Sequence, residues 1–153
     1  MVTTESPIKI SKANLPYYFY KISHQVYLWH IPFIPSIFKI FIRIVFGSVI
    51  PPETRIGKNV HFAYNALGIV IHRQCIIGDD VWISQQVTIG GLNEGFPTIG
   101  NNVYIGAGAR IIGKICIGDN AKIGANAVVL TDVPNGATAV GIPARVIIKS
   151  ENS

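Results

Sequence analysis

Two histidines, His61 and His72, are the side chains of this sequence best placed to move a proton. A histidine titrates near neutral pH, so its neutral form can take the proton of a hydroxyl group as a general base. His72 directly follows an insertion in the repeat pattern described below, and His61 precedes that insertion. His72 is therefore the first candidate base and His61 the second. His24 and His30 lie in an apolar N-terminal segment and are interpreted as ordinary residues.

Neither cysteine is predicted to act as a nucleophile or a metal ligand. No Cys-x-x-Cys motif or Cys/His cluster surrounds Cys75 or Cys116. No Ser-His-Asp order or nucleophile elbow is present, which favours direct group transfer over a covalent intermediate. A zinc enzyme built on the six-residue repeats described below needs three histidine ligands, and the repeats contain only His61 and His72. We expect no bound metal.

The composition is typical of one globular domain. The 153 residues are 49% hydrophobic and 14% charged, which allows a sizeable core and excludes a disordered tail. The net charge of +5 comes from scattered basic residues. That distribution suits a phosphate-bearing ligand, and we expect no nucleic-acid partner. The N-terminus lacks the features of a secretory signal, so we expect a cytoplasmic location.

A strict six-residue repeat begins after Val49. Aliphatic residues, most of them followed by Gly, recur at positions 77, 83 and 89, and again at 99, 105, 111, 117, 123 and 129. This spacing fits neither a helix of 3.6 residues per turn nor a simple exposed strand with a period of two. Three short strands per turn satisfy it. The repeat therefore predicts a mainly β protein, a parallel β-helix shaped as a triangular prism.

Two insertions interrupt the repeat and are predicted to form loops at corners of the prism. The first adds three residues between Phe62 and Ile71, and the second adds four residues around positions 92–97. Because inserted residues cannot lie on a flat face, such loops leave the prism and commonly carry binding residues. Asn93 and Glu94 on the second loop are candidates for hydrogen bonds to a substrate.

The first 48 residues form an apolar segment of different character. Ser36 can begin a helix and Gly47 can end it, with Lys39 and Arg43 on one face. We expect a helical segment over residues 1–48, a β-helix over 49–149 and a tail over 150–153. The segment is interpreted as a cap packed on the body or on a neighbouring subunit. The alternative is an in-plane helix in peripheral contact with a membrane surface.

Six motifs within the repeat have a recognisable sequence. They are Ile-Gly-Lys-Asn-Val at 56–60, Gly-Ile-Val-Ile at 68–71, Val-Thr-Ile-Gly-Gly at 87–91, Ile-Gly-Ala-Gly-Ala at 105–109, Ile-Gly-Ala-Asn-Ala-Val-Val at 123–129 and Val-Gly-Ile-Pro-Ala-Arg-Val at 140–146. Together they resemble the serine acetyltransferase branch of the hexapeptide acyltransferases. The resemblance implies a left-handed β-helix, a homotrimer with active sites between subunits, and acetyl-coenzyme A as donor.

The resemblance also implies which residues bind acetyl-coenzyme A. Small residues would line the pantetheine arm, because they let it approach the backbone: Gly106, Ala107, Ala125, Pro143 and Ala144. Basic residues available for the nucleotide phosphates are Arg110, Lys122, Arg145 and Lys149. Backbone N–H groups at Gly90 or Gly91 would stabilise the oxyanion of the reacting thioester.

The acceptor site departs from the family at two places. In the family a histidine within an Asp-His-Ala-Thr-Gly-like stretch acts as base. Alignment on residues 68–71 places Asn65, or Tyr64 with a gap, at this position, and both are candidate substrate-binding residues. The family's second insertion carries an Arg-His pair that contacts serine, whereas the loop here has neither residue.

These departures favour an acceptor other than serine. The expected function is an acetyl-CoA-dependent O-acetyltransferase that acts on a hydroxyl of a sugar or polysaccharide precursor, with a histidine base and direct transfer. The apolar segment would suit an enzyme that acts at the inner face of a membrane. Two alternatives remain: a serine O-acetyltransferase of cysteine biosynthesis, and a non-catalytic β-helix scaffold subunit.

Overall fold

The computed structural model of the chain describes residues 14–31 and 33–148. Two helices come first, α1 (Leu15–Leu28) and α2 (Ile34–Phe46), and a short 3-10 turn, η1 (Ala63–Ala66), follows the second strand. The strands are β1 (Arg55–Ile56), β2 (His61–Phe62), β3 (Val70–Ile71), β4 (Ile76–Ile77), β5 (Trp82–Ile83), β6 (Thr88–Gly90), β7 (Thr98–Ile99), β8 (Tyr104–Ile105), β9 (Arg110–Ile112), β10 (Cys116–Ile117), β11 (Lys122–Ile123), β12 (Val128–Val129), β13 (Thr138–Val140) and β14 (Arg145–Ile147).

Consecutive strands belong to three different sheets, which form the faces of a prism. Face one contains β1-β4-β7-β10, face two contains β2-β5-β8-β11-β13-β14, and face three contains β3-β6-β9-β12. Neighbours pair in parallel, for example Ile77 with Ile99 and Ile83 with Ile105. Among the strands of the described residues, β14 alone runs antiparallel, on β13, and it ends the stack. The chain is thus a parallel β-solenoid of about four turns, as the repeat predicts.

The aliphatic residues of the repeat fill the interior of the prism. Ile83, Ile89 and Ile105 have no exposed surface, and the small residues between them, such as Ala109 and Ala121, are equally buried. Each lies over its counterpart in the next coil; six residues take the chain to the next face, and three such steps complete a coil. Period six therefore follows from three strands per coil, and this prediction is confirmed.

Side chains at the corner between faces one and two, called the Asx corner, join the coils. The Asp79 carboxylate accepts the N–H of Lys58 at 2.7 Å, and the Asn101 amide oxygen accepts the N–H of Asp79 at 2.8 Å. The Asp119 carboxylate continues the series by accepting the N–H of Asn101 at 2.6 Å. This corner satisfies backbone groups along the stack and has a structural role.

Helix α1 packs on the first coil through polar anchors. The Tyr20 hydroxyl donates to the carbonyl of Thr54 at 2.5 Å and accepts the N–H of Ile56 at 3.3 Å. At the start of α1 the Asn14 amide donates to the carbonyl of Val60 at 2.6 Å. These bonds fix α1 against the edge of faces one and two.

Helix α2 packs mainly on α1. The Phe19 ring lies 5.0 Å from the Phe41 ring. The helix begins at Ile34, before Ser36, because Pro35 suits a first turn, where its missing N–H is not needed. It ends at Gly47, which adopts a left-handed conformation with φ of 60°. Among the described residues, no helix has the length and apolarity to span a bilayer.

Candidate active site

The corner between faces two and three, called the Ala corner, is a column of turns from successive coils. It contains residues 64–66, 84–86, 106–108, 124–126 and 141–143. Backbone hydrogen bonds hold the turns in line: Gly108 N–H donates to the carbonyl of Gln85 at 3.0 Å, and Asn126 N–H donates to the carbonyl of Ala107 at 2.8 Å. The corner is a straight ledge that runs along the axis of the prism.

The small residues predicted to line the pantetheine arm lie on this ledge or at its C-terminal end. Ala125 is exposed and Ala107 half-buried, so the ledge presents methyl groups and backbone to solvent. Packing by itself explains Gly106, because a Cβ there would come within 2.6 Å of the backbone nitrogen of Ala125. Pro143, Ala144 and Arg145 follow at the C-terminal end of the same column.

The predicted phosphate-binding residues flank the Ala corner. Arg110 points outward from β9 on face three, and its guanidinium donates to the Thr88 hydroxyl at 3.0 Å. Lys122 points outward from β11 on face two. Both side chains are exposed, as is Arg145. Lys149 lies outside the described residues. The ledge therefore has basic side chains on both sides.

Tyr64 and Asn65 form the turn at the N-terminal end of the Ala corner. Both adopt positive φ, 50° and 54°, and both are exposed. The insertion thus projects from the prism, as predicted for extra residues that cannot lie on a face. Asn65 tolerates this conformation better than most residues, whereas a tyrosine adopts it less readily. Their position puts the predicted acceptor-binding residues at the end of the ledge.

The second insertion forms a small hairpin at the corner between faces three and one, called the His corner. Leu92 and Gly95 exchange backbone hydrogen bonds of 2.9 and 3.0 Å. Between them Asn93 and Glu94 both have positive φ, 49° and 62°, which is the conformation of a type I′ turn. Both side chains are exposed. Gly90 and Gly91 lie at the base of this hairpin.

His72 lies at the same corner, against the hairpin. Its ring stacks on the Phe96 ring at a centroid distance of 4.5 Å and an angle of 11°. Its Nδ1 atom accepts the N–H of Gln74 at 3.3 Å. The side chain is half-buried, so the remaining edge of the ring can reach a ligand. Phe96 was missed by reasoning on the sequence, although it is the aromatic residue of the inserted loop.

His61 lies elsewhere, on face two beneath the start of α1. It is 7% exposed, and its ring packs on Trp82 at 4.1 Å. Its Nδ1 atom is buried without a hydrogen-bond partner among the described residues. Burial lowers the pKa of the His61 imidazole, which keeps the ring neutral. The structure therefore does not bring His61 and His72 together.

The two corners are separated by the width of face three. That width is four or five residues, or about 15 Å at about 3.3 Å per residue. The Ala corner holds Tyr64, Asn65 and the ledge residues, and the His corner holds His72 and the second loop. The predicted site residues of one chain thus form two half-sites.

Thiol and metal chemistry receive little support from the described residues. Cys75 is buried, and burial raises the pKa of its thiol to about 11, so the thiol stays protonated at neutral pH. Cys116 is free and exposed on β10. Within residues 14–31 and 33–148, no three His, Cys, Asp or Glu side chains are grouped so as to hold a metal ion.

Comparison with known proteins identifies the family. The family described as bacterial transferase hexapeptide (six repeats) matches residues 96–131. The serine acetyltransferase of Helicobacter pylori is 42% identical over 134 residues, which cover 85% of this chain and 78% of that protein. The chain belongs to the serine acetyltransferase family. This membership confirms the predicted left-handed hexapeptide β-helix and the acyltransferase class.

Other members of the serine acetyltransferase family are longer than this chain. The serine acetyltransferase of Synechococcus elongatus is 42% identical over 135 residues, which are 86% of this chain and 55% of that protein. A solved serine acetyltransferase in complex with CoA superposes with a TM-score of 0.80 at 39% identity, covering 86% of this chain and 55% of that one. The chain spans just over half of these two relatives.

The prediction of a sugar hydroxyl as acceptor is wrong. It was based on three family positions that differ here, in the turn at Asn65 and in the loop that carries Phe96. Identity of 42% across most of the chain with serine acetyltransferases outweighs differences at so few positions. The comparisons favour the alternative, a serine acetyltransferase.

Proposed function

We propose that this protein is a serine O-acetyltransferase that uses acetyl-coenzyme A as donor. The observation that carries the proposal is the 42% identity with the Helicobacter pylori serine acetyltransferase over 85% of this chain. Acetyl-coenzyme A and serine are metabolites of the cytoplasm, where we expect the protein to act. The activity itself, the acceptor and the assembly are proposals.

Acetyl-coenzyme A would lie along the Ala corner. The exposed methyl group of Ala125 and the half-buried Ala107 leave room for an extended chain beside the backbone. Arg110 and Lys122, on the faces that flank this corner, would pair with phosphate groups, and Arg145 would add a third positive charge. The match to a serine acetyltransferase solved with CoA supports this placement.

A homotrimer would join the two half-sites. In a ring of three subunits with head-to-tail contacts, the Ala corner of one subunit faces the His corner of the next. The separation of about 15 Å within one chain supports this arrangement, because a single acetyl group cannot touch both corners of the same chain. Each cleft would then contain one ledge and one His72.

His72 is proposed as the general base. The acceptor hydroxyl gives its proton to the imidazole as its oxygen attacks the acetyl carbonyl, and the proton then passes to the departing sulfur of coenzyme A. One C–O bond forms and one C–S bond breaks, so no further reactant is needed. Backbone N–H groups at Gly90 or Gly91 would stabilise the oxyanion.

Exposure supports His72 over His61. His61 is 7% exposed and covered by α1, whereas His72 is only half-buried. The hydrogen bond from Gln74 to Nδ1 favours the tautomer with the proton on Nε2. At 3.3 Å that bond is longer than usual and weak, so the tautomer with a free Nε2 remains accessible.

Serine carries an ammonium and a carboxylate besides its hydroxyl. Glu94, exposed on the hairpin turn, would attract the ammonium group, and the Asn93 amide lies beside it. From the facing Ala corner, the Asn65 amide and the Tyr64 hydroxyl would offer hydrogen bonds to the carboxylate. These four residues are the proposed acceptor-binding set.

The test is release of coenzyme A thiol from acetyl-coenzyme A with L-serine, for the wild type, His72→Asn and His30→Asn. We expect turnover with serine, a loss of about a hundredfold or more in kcat for His72→Asn, and wild-type rates for His30→Asn. His30 is the matched control because it lies at the end of the helical segment. Absence of turnover with serine under conditions where coenzyme A binds would refute the proposed acceptor.

A further inference from the structure

The outward side of α2 is an apolar surface without a partner in the described chain. Its residues follow the i, i+3, i+4 spacing of one helix face and are all exposed: Ile34, Ile37, Ile40, Phe41, Ile44 and Val45. Ile44 is 77% and Ile37 63% exposed, while Ile42 on the opposite side is buried. A helix of a soluble domain normally turns such a face toward the core.

This surface continues onto α1 and the connection between the helices. Phe41 stacks on Phe19 of α1 and is itself 40% exposed, so it links the two helices. The other exposed apolar residues in this region are Leu15, Tyr18, Ile22, Trp29 and Phe33. We call this whole set, on both helices, the helical outer face. Its extent exceeds what scattered single apolar residues produce on a protein surface.

The charges around the helical outer face have one sign. Between residues 14 and 50 the charged residues are Lys21, Lys39 and Arg43, with no Asp or Glu. Arg43 lies at the flank of the apolar arc of α2, three residues from Ile40, and Lys21 lies three residues from Tyr18 on α1. Lys39 lies on the other side of α2, where it lines a cavity with Pro52 and Glu53. Long basic side chains in this position can extend their charged ends toward phosphate groups while their stems cover apolar surface.

Two cavities beside the helices add positive charge at the edge of this face. One, of about 570 Å³, is lined by Arg55, Arg73 and Gln74 together with Tyr27 of α1. The other, of about 270 Å³, is lined by Phe33 and Lys39 among others. Glu53 lines both and is the only carboxylate there, against three basic side chains. The edge is therefore net positive.

We propose that the helical outer face docks on the surface of an anionic phospholipid bilayer. Helix α2 lies in the plane of the interface with Ile37, Phe41 and Ile44 among the acyl chains. Lys21 and Arg43, at the flanks of the helical outer face, pair with lipid phosphates. Trp29 and Phe33 at the helix connection occupy the headgroup region, which aromatic side chains favour. Because no described helix is long enough to cross, the contact is peripheral.

A second copy of the chain fits this face less well. Self-association through the helical outer face would bring Lys21 and Arg43 of both copies to the rim of one contact. Neither helix carries a carboxylate that could neutralise them. Anionic headgroups supply that neutralisation. The inference stands independently of the proposed acceptor, because it uses residues outside both half-sites.

The test is co-sedimentation of the full chain with vesicles of phosphatidylcholine, with and without about one-third phosphatidylglycerol. We expect binding to the anionic vesicles, weakened by high salt, and little binding to pure phosphatidylcholine. The double variant Ile37→Ser/Ile44→Ser should lose binding, and Lys21→Glu/Arg43→Glu should bind anionic vesicles at least about tenfold more weakly.

The matched control is Leu130→Ser/Ile147→Ser, which removes two exposed apolar residues from the β-helix and should leave vesicle binding unchanged. Sedimentation velocity without lipid shows whether each variant keeps its oligomeric state. The proposal is overturned if the wild type ignores anionic vesicles or binds both compositions equally. It is also overturned if Ile37→Ser/Ile44→Ser dissociates an assembly of the wild type that does not bind lipid.

Discussion

The rings of His72 and Phe96 lie parallel, 4.5 Å apart, and thereby connect the two insertions of the repeat. An aromatic stack of this kind contributes about 1 kcal/mol beyond burial and fixes the plane of the imidazole. The edge of the imidazole is then held toward solvent at the His corner. Phe96 belongs to the second insertion, so the ring contact joins this loop to the turn that follows β3.

A histidine introduced at Asn65 is expected to increase the rate with serine. The resemblance places Asn65, or Tyr64 with a gap, where the family has its base, and the Asn65 amide cannot accept a proton at neutral pH. The backbone there has φ of 54°, a conformation that histidine tolerates. We expect Asn65→His to raise kcat about tenfold, measured as coenzyme A thiol release with L-serine.

Tyr64→His is the matched comparison for this variant, because it tests the alignment with a gap. Tyr64 is exposed with φ of 50°, so a histidine there differs mainly by one position in the turn. We expect no gain from it. Asn65→His should also restore part of the activity lost in His72→Asn. A lower rate for Asn65→His with the wild-type His72 present would show that the Asn65 amide itself is needed.

At the scale of elements, the packing of α1 on face two decides the state of His61. Outward residues of face two are mostly exposed, for example Tyr104 and Lys122 on β8 and β11. His61 on β2 is buried instead, because the Asn14 side chain at the start of α1 donates to Val60 and accepts from Phe62 on either side of it. His61, a candidate base on sequence grounds, is thus part of the contact between α1 and face two.

This contact predicts that stability decreases in mild acid. Burial lowers the pKa of folded His61 below the ordinary histidine value of about 6.5, so the unfolded chain binds the proton more readily. Above about pH 6.5 the full stability is present, and it falls as the pH falls from there toward the folded pKa. Urea denaturation midpoints measured at several pH values check this expectation.

The comparison variant for this experiment is His61→Gln, with His30→Gln as control. His61→Gln should flatten the pH dependence below pH 6.5, whereas His30→Gln should leave it as in the wild type, because His30 is exposed. If the stability of His61→Gln falls with decreasing pH as steeply as that of the wild type, another group causes the pH dependence.

At the scale of the whole molecule, the two half-sites lie about 15 Å apart on one chain. A ring of three subunits would bring each Ala corner to a neighbouring His corner. The assembly, and not the single chain, would then complete three active sites. This arrangement makes a prediction about mixtures of inactive subunits.

Co-expression of His72→Asn with Ala125→Trp is expected to restore activity that each variant lacks by itself. Ala125 is exposed, so tryptophan there blocks the ledge without entering the core. In randomly mixed trimers about one cleft in four combines an intact ledge with an intact His72, so about a quarter of the wild-type rate should return. The measurement is thiol release by the purified mixture.

Mixing the two variants after separate purification, without subunit exchange, is the control and should stay inactive. Activity from co-expressed subunits no higher than that of the separate variants would show that each site is built within one chain. A double variant with both changes on the same chain is co-expressed with the wild type as a reference. This mixture shows how far random assembly with inactive subunits lowers the wild-type rate.

Much of the fold was predictable because every repeat has to meet the same packing requirement. Every sixth residue must fill the interior, so the spacing of Ile83, Ile89 and Ile105 predicts that their side chains are buried, and they are. Insertions had to leave the prism at corners, and both do. The start of α2 was predicted less well. The sequence indicated a start at Ser36, whereas the helix begins at Ile34 and has Pro35 in its first turn.

The sequence alone determined the prism, the positions of its loops and the ledge of small residues, since these follow from local spacing and side-chain size. The tertiary structure decided which of those residues meet. It buried His61 under α1, stacked His72 on Phe96 and separated the candidate residues into two corners. It also left the outer side of α2 exposed. Contacts between distant segments depend on how coils and helices pack in three dimensions, which a period of six does not encode.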